Sequence, residues 1–367
     1  MAGSFRYVTP VEPRGATGRV GEVYAQLAED FGMARMAVFM TLSPSADVLA
    51  ATWSLLRESL LAGNAPRTAK EVVALGVSLA NRCPYCVAAH TTLLHATGDH
   101  RLAETIAAGG TPRDPEHAEL LAWAGNRGPG PFPVVLAHEY IGTALTFHFV
   151  NRVASALLTE NLLPANLQRS RLVRSVGGRV MSGAVRRTPP VGGSLPLVAD
   201  LAAGPEPAWA AGTPVGAAYA ALRAAAGAGG ELLGQAARSA VTRAVAAWDG
   251  GHPPMDSAWL DGALAGVPAG ERAGARLALL VALAPYRVTD ADVAAWRGSA
   301  TDEDLVRLCA FGAITATERA GTLITATPAK RAGSRMPVAP AERITAPAAE
   351  RARNRGTDTH APWGDRS

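Results

Sequence analysis

From Val134 to Leu163 the chain runs thirty residues without a proline, and Val134, His138, Ile141, Leu145, His148 and Arg152 recur three or four apart. That spacing is the 3.6-residue period of an α-helix and predicts one long helix with a packed face. A helix of that length buries its stripe only against other helices or a sheet. The same period returns in Val20, Val23, Tyr24 and Leu27 and in Val48, Leu49, Trp53, Leu56 and Leu60, with breaks at Pro44 and at Gly63–Pro66. Thr68 to Asn81 reads as a further helix, and Pro84 to Thr97 as another closed by Gly98. Alternating Val/Ile/Thr runs are few, so the expected fold class is all-α.

The length of 367 residues suggests two domains, and 48% hydrophobic residues supply cores of ordinary size. Residues 15–165 form the first expected helical domain. Gly177-Gly178, Pro189-Pro190, Gly192-Gly193 and scattered Arg mark 166–205 as a linker. Helical patterning resumes over 206–326, and the Pro-, Ala- and Arg-rich stretch 327–367 reads as a disordered tail.

The net charge of +4 hides an asymmetry. Residues 328–367 hold eight Lys/Arg against four Asp/Glu, and 166–199 hold six Arg and no acid, so the remainder of the chain is acidic. A positive excess confined to such segments, without interleaved aromatics, argues against nucleic-acid binding. The start has no signal-peptide core, and no run of about 18 apolar residues occurs to span a bilayer. Three cysteines, two of them in one motif, do not form a secreted disulfide framework. A cytoplasmic protein without membrane partners is expected.

One internal repeat stands out. Ala80 to Ala88, ANRCPYCVA, aligns at an offset of 201 with Val281 to Thr289, VALAPYRVT. The Pro-Tyr pair is kept, while Cys83 becomes Ala284, Cys86 becomes Arg287 and His90 becomes Ala291. A duplication whose second copy lost its chemistry explains the match; chance in an Ala-rich chain is the plain alternative.

Cys83-Pro84-Tyr85-Cys86 carries the strongest chemical content. Proline favours the first helical position, which puts Cys83 at the N-cap and Cys86 in the first turn. Free N–H groups and the helix dipole there stabilise a thiolate, and cysteines three apart can close a disulfide. His90 lies one turn beyond Cys86 on the same face, within reach to exchange a proton. Glu71 belongs to the preceding helix, from which an antiparallel return could bring it toward His90. Thr68-x-x-Glu71 also fits a capping box, in which Glu71 would only bond its own helix start.

Glu71, eleven residues, Cys83-x-x-Cys86, three residues and His90 together resemble the core motif of the alkylhydroperoxidase D and carboxymuconolactone decarboxylase superfamily. The resemblance covers roughly 15–165, including Asn151-Arg152 of the long helix. It implies an alkylhydroperoxidase-like helical bundle, here duplicated within the chain, and a thiol-dependent peroxidase or disulfide reductase. It also implies that Cys86 is attacked by a hydroperoxide, that Cys83 resolves the sulfenic acid as a disulfide, and that Glu71 and His90 relay protons. Electrons would come from a lipoyl, thioredoxin-like or small-thiol donor, without a cofactor, and the chain would assemble as a homo-oligomer. Tyr85 departs from the best-studied branch, which has a histidine between the cysteines. The decarboxylase branch lacks the cysteine pair.

Two other readings compete. Cys83, Cys86 and His90 could be three zinc ligands, although they lie within eight residues and lack a fourth. A non-catalytic assembly or interaction protein would leave the pair incidental. Cys309, among Leu305, Val306, Leu308 and Phe311, reads as a core thiol, and His138 and His148 as core or interface histidines.

Overall fold

The computed structural model describes residues 5–125, 129–160, 171–202 and 204–325, without the side chains of 171–174 and 180. Among these the only paired extended backbone is one antiparallel bridge, Phe5 to Leu158. The expected all-α class is borne out. The tail 327–367 lies outside the described residues, as do 166–170 and 203 of the expected linker.

The first half contains α1 (Gly18–Phe31), α2 (Ala37–Leu42) and α3 (Ala46–Leu56), the last running into a π-helical turn at Arg57–Leu61. Then come α4 (Arg67–Ala80), α5 (Pro84–Thr97), α6 (His100–Ala107), α7 (Pro115–Ala124) and α8 (Ala137–Leu157). α4 and α5 form a tight antiparallel hairpin whose turn follows from local chemistry. The Arg82 N–H bonds the Leu79 carbonyl at 3.1 Å and the Cys83 N–H reaches back to Ser78 at 3.0 Å, with Arg82 in the left-handed region at φ 52°. That is a Schellman closure with an arginine where glycine is usual. Cys83 thereby ends one helix and caps the next, with Pro84 at the first position as expected. Gly98 ends α5 at φ 99°, also as expected.

α8 departs from its sequence reading. It begins at Ala137, after a single 3-10 turn at Val134–Leu136, and Val134 is 89% exposed. Its burial is not confined to one stripe: nearly every side chain from Glu139 to Leu157 is covered. The second half supplies that cover. It comprises α10 (Pro214–Gly227), α11 (Gln235–Ala246), α12 (Ala258–Leu264), α13 (Arg272–Leu283), α14 (Asp290–Arg297) and α15 (Asp302–Thr325). α15 runs along α8, and α10 lies across α3 and α8. Close approach needs small residues: a Cβ on Gly142 of α8 would sit 2.5 Å from Val215 of α10. Buried side chains from Val8 to Ala320 therefore belong to one continuous core.

The stretch 166–205, expected as a linker, contains α9 (Arg171–Val185), which packs along α5. Its later part is pinned by buried charge. Glu58 accepts from the Gly192 and Ser194 N–H groups at 2.6 and 3.1 Å and from the Ser194 hydroxyl at 2.7 Å. Arg57 reaches Asp30 at 2.8 Å and the Pro190 carbonyl at 3.0 Å. Buried charges require such partners, and this segment's backbone provides them.

At the expected repeat, Pro285 opens only a 3-10 turn, Pro285–Arg287, before α14, where Pro84 opens a fourteen-residue helix. Arg287 donates instead to the carbonyls of Pro254 and Met255 at 2.8 and 2.9 Å.

Two buried bases sit where the halves meet. Arg152 donates to Ala282 at 2.7 Å, capping the end of α13, and its guanidinium lies 5.3 Å from the Trp248 ring. His148 is buried beside it with Nε2 unpartnered, and burial first, then the Arg152 charge, lower its pKa to about 3. The unfolded chain therefore takes up a proton near pH 6.5 that the native state refuses until about pH 3, so stability falls as pH drops through that window. The expected loss is several kcal/mol at most, on the order of 1.4 kcal/mol per pH unit. Unfolding midpoints of the native protein and a His148→Gln variant between pH 7 and 4 test this. Equal slopes would show that His148 is not the group responsible.

Candidate active site

The α4–α5 hairpin brings the four residues expected from the sequence into one buried cluster. Cys83 and Cys86 are both free and almost wholly inaccessible. Glu71 is 0% exposed on the facing side of α4, and its Oε2 meets His90 Nδ1 at 2.7 Å. The capping alternative for Glu71 is not realised: α4 begins at Arg67 behind Pro66, so Thr68 lies inside the helix and no side chain caps it. The other Glu71 oxygen accepts from Arg67 Nε at 2.9 Å, one turn earlier. Burial alone would raise the Glu71 pKa, but the Arg67 charge and then His90 overcome it and hold the carboxyl below its usual range. The result is a buried carboxylate orienting an imidazole, whose ring stands edge-on to Phe147 at 4.2 Å.

The two sulfurs differ sharply. Burial pushes Cys83 up, yet the Cys86 thiol, the Ser155 hydroxyl and the Cys86 and Tyr85 N–H groups at the helix start outweigh it, and the pKa falls below the ordinary thiol value. Cys86 moves the other way: burial, then its hydrogen bond to Cys83 and the charge there, raise it well above that value. Of the two sulfurs, Cys83 is the one whose surroundings favour the charge and Cys86 the one that keeps its proton longer.

A cavity of about 280 Å³ opens against Cys83, and Cys86 is not among the residues lining it. Its walls come from three parts of the chain: Ser155 and Leu158 at the end of α8, Arg6 of the N-terminal segment, and Tyr286 and Val288 of the second half. Arg6 ties these together, donating to Val288 at 2.9 Å and to Ala156 at 3.4 Å, while its own N–H bonds Leu157 at 3.0 Å.

A family model described as the carboxymuconolactone decarboxylase family matches residues 47–124, the stretch holding α4, α5 and both cysteines. Beyond that core, the chain is 41% identical over 327 residues to a protein of Mycobacterium tuberculosis (strain H37Rv) called alkyl hydroperoxide reductase, covering 87% of this chain and 94% of that one. The chain belongs to this family. The resemblance drawn from Glu71, Cys83, Cys86 and His90 is thereby borne out at family level, on the alkylhydroperoxidase-like side. Coverage of that extent takes in much of the second half, which the family model does not reach. No solved structure matches the chain.

Cys309 is buried on α15 and burial pushes its pKa up to about 12, as suits a core thiol. His138 and His148 line neither the Cys83 cavity nor the small cleft beside Arg152. Among the described residues no group of three or more His, Cys, Asp or Glu side chains could hold a metal ion, and His90 turns Nδ1 to Glu71. No described helix is long and apolar enough to cross a membrane. Sequence reasoning missed Arg67, Ser155, Arg6 and Tyr286. The i,i+4 spacing of Arg67 to Glu71 was a usable signal; the other three reach the site only through tertiary packing.

Proposed function

We propose that this chain is a thiol peroxidase that reduces hydroperoxides through a Cys83/Cys86 dithiol-disulfide cycle, with His90 and Glu71 moving the protons. The observation that carries this reading is the asymmetric pair: Cys83 on the wall of a cavity with its pKa held down, and Cys86 off that wall with its pKa pushed up, on the helix that carries His90. The relative's name, alkyl hydroperoxide reductase, supports the same substrate class. The reaction of the decarboxylase branch is not proposed, because the cysteine pair belongs to the other branch.

The site's charge favours an order opposite to the one the resemblance implies. Cys83 faces the cavity as thiolate and attacks the terminal oxygen of the hydroperoxide; the O–O bond breaks, the sulfur becomes a sulfenic acid, and the alkoxide leaves with a proton from cavity water. Cys86 then gives its proton to His90, whose imidazolium the Glu71 carboxylate stabilises. The Cys86 thiolate attacks the Cys83 sulfur and expels hydroxide, which recovers that proton as water. An external dithiol enters the same cavity, gives one thiol proton to His90, attacks Cys83 as thiolate and displaces Cys86, which takes that proton from His90; the donor's second thiol loses its proton to water, attacks the donor sulfur of the mixed disulfide and leaves as the donor disulfide, releasing Cys83 as thiolate. A homo-oligomer remains part of this reading, with the second half of the chain standing in for one subunit contact.

Peroxide consumption by the full chain, supplied in turn with a dihydrolipoyl domain, a thioredoxin-like protein and a small thiol, tests the proposal. At least one donor should sustain turnover that stops when Cys83 and Cys86 are alkylated. Cysteines that resist both peroxide and alkylation in the native protein would leave a non-catalytic helical assembly as the better reading.

A further inference from the structure

Buried serine and threonine hydroxyls in helices usually discharge their hydrogen bond onto the carbonyl four residues back. This protein follows that habit at Thr52, Ser59, Ser78, Thr91 and Thr146, with distances of 2.6–2.8 Å. Ser155 does not. Its oxygen is shut off from solvent and makes no hydrogen bond, to sulfur or to any other atom, which leaves a buried polar atom at a cost of about 1–3 kcal/mol. It stands two residues before Leu157, whose carbonyl holds Arg6, and it lines the Cys83 cavity from the side opposite the start of α5. Cys83 lines the same cavity, and the Ser155 hydroxyl is among the groups that hold its pKa down.

Resting on the reading of Cys83 and Cys86 as a working dithiol, we infer that Ser155 is a positioning residue whose orphaned hydroxyl, free of its helix carbonyl, turns across the shared cavity wall to donate a hydrogen bond to Cys83 when that sulfur is charged. Three kinds of donor then converge on that sulfur: N–H groups of α5, the Cys86 thiol and the α8 hydroxyl. The first is built into the helix start, and the second is lost whenever Cys86 is spent in the disulfide. Ser155 alone is on a different helix and stays in place through the cycle, so it also keeps Cys83 turned to the cavity where the donor dithiol must attack.

The test is the pH dependence of Cys83 alkylation by iodoacetamide in the full chain, followed on the Cys83-bearing peptide by mass spectrometry, in the native protein and in Ser155→Ala and Ser155→Thr. Ser155→Ala should move the midpoint to higher pH, slowing alkylation at neutral pH about tenfold, the worth of one hydrogen bond to a charged group. Its unfolding midpoint should not fall, because the lost hydroxyl has no other partner. Ser155→Thr, which keeps the hydroxyl, should restore the native profile. An unchanged midpoint in Ser155→Ala overturns the inference; so does an equal shift in both variants, which would mark packing as the cause. The readout needs no peroxide, so a Ser155 effect in a protein that consumes none would sink the peroxidase reading and leave this one standing.

Discussion

A Cys86→Ser enzyme should accumulate a sulfenic acid on Cys83 after one equivalent of hydroperoxide, whereas Cys83→Ser should react with peroxide slowly or not at all. The reason is the division of charge within the pair. Cys83 keeps the N–H groups of its helix start and its place on the cavity wall when Cys86 becomes serine, so it remains the sulfur whose charge is favoured and which peroxide can reach. Cys86 without Cys83 is a buried thiol pushed upward by desolvation, with no cavity wall of its own among the residues lining that space. Both variants lose steady-state turnover, since neither can close the disulfide. A sulfenic-acid trap such as a cyclic dione, located by peptide mass, separates the two orders. Trapping on Cys86 in the Cys83→Ser protein would restore the order implied by the resemblance, in which the proton must first leave Cys86 for peroxide to be attacked there.

Glu71→Gln should slow peroxide turnover by about 10²-fold or more, the usual worth of a general acid-base group. Glutamine fits the space and can still accept from Arg67, but it cannot stabilise an imidazolium at His90, and the 2.7 Å contact becomes one between neutral groups. His90→Ala should cost a similar factor, and the double variant little more than either alone, because the two act as one unit. The first chemical step should be nearly spared in both. Formation of the Cys83 sulfenic acid uses a thiolate that is already present, while disulfide closure and reopening need the proton to move. Stopped-flow measurement of the two phases therefore checks the assignment: a slowed first phase with an unchanged second would place the relay on the wrong step. Turnover unchanged in Glu71→Gln would reduce Glu71 to a buried counter-ion for Arg67. A fall in the unfolding midpoint is expected regardless, since Arg67 would lose its carboxylate.

The cavity gives the second half of the chain a part in the site. Tyr286 and Val288 stand two and four residues past Ala284, the position matching Cys83, and they wall the cavity against the first half's thiol. Arg287, in place of Cys86, anchors that turn through the carbonyls of Pro254 and Met255.

Helical period, proline and glycine punctuation and the spacing Glu71, Cys83, Cys86, His90 are properties of short stretches, and local sequence was enough to determine them. They set the all-α class, the α4–α5 hairpin, the thiol pair at a helix start and the family. The Glu71–His90 contact belongs here too, since both residues sit on adjacent arms of one hairpin. What only the tertiary structure decided were properties of surfaces distant in sequence. α8 read as an amphipathic helix because its stripe is visible from one side; the second half covers its other faces, and nothing local to 137–157 encodes that. The linker read as loose because Gly, Pro and Arg favour loops, while the partners that pin it, Glu58 and Arg57, lie more than 130 residues away. The asymmetry of the two cysteines is of the same kind: the cavity that reaches Cys83 and not Cys86 draws its walls from the N-terminal segment, α8 and the second half, Ser155 among them, seventy-two residues downstream. Desolvation and hydrogen bonding act through space, so a motif names the reacting atoms but leaves open which of them is ionised.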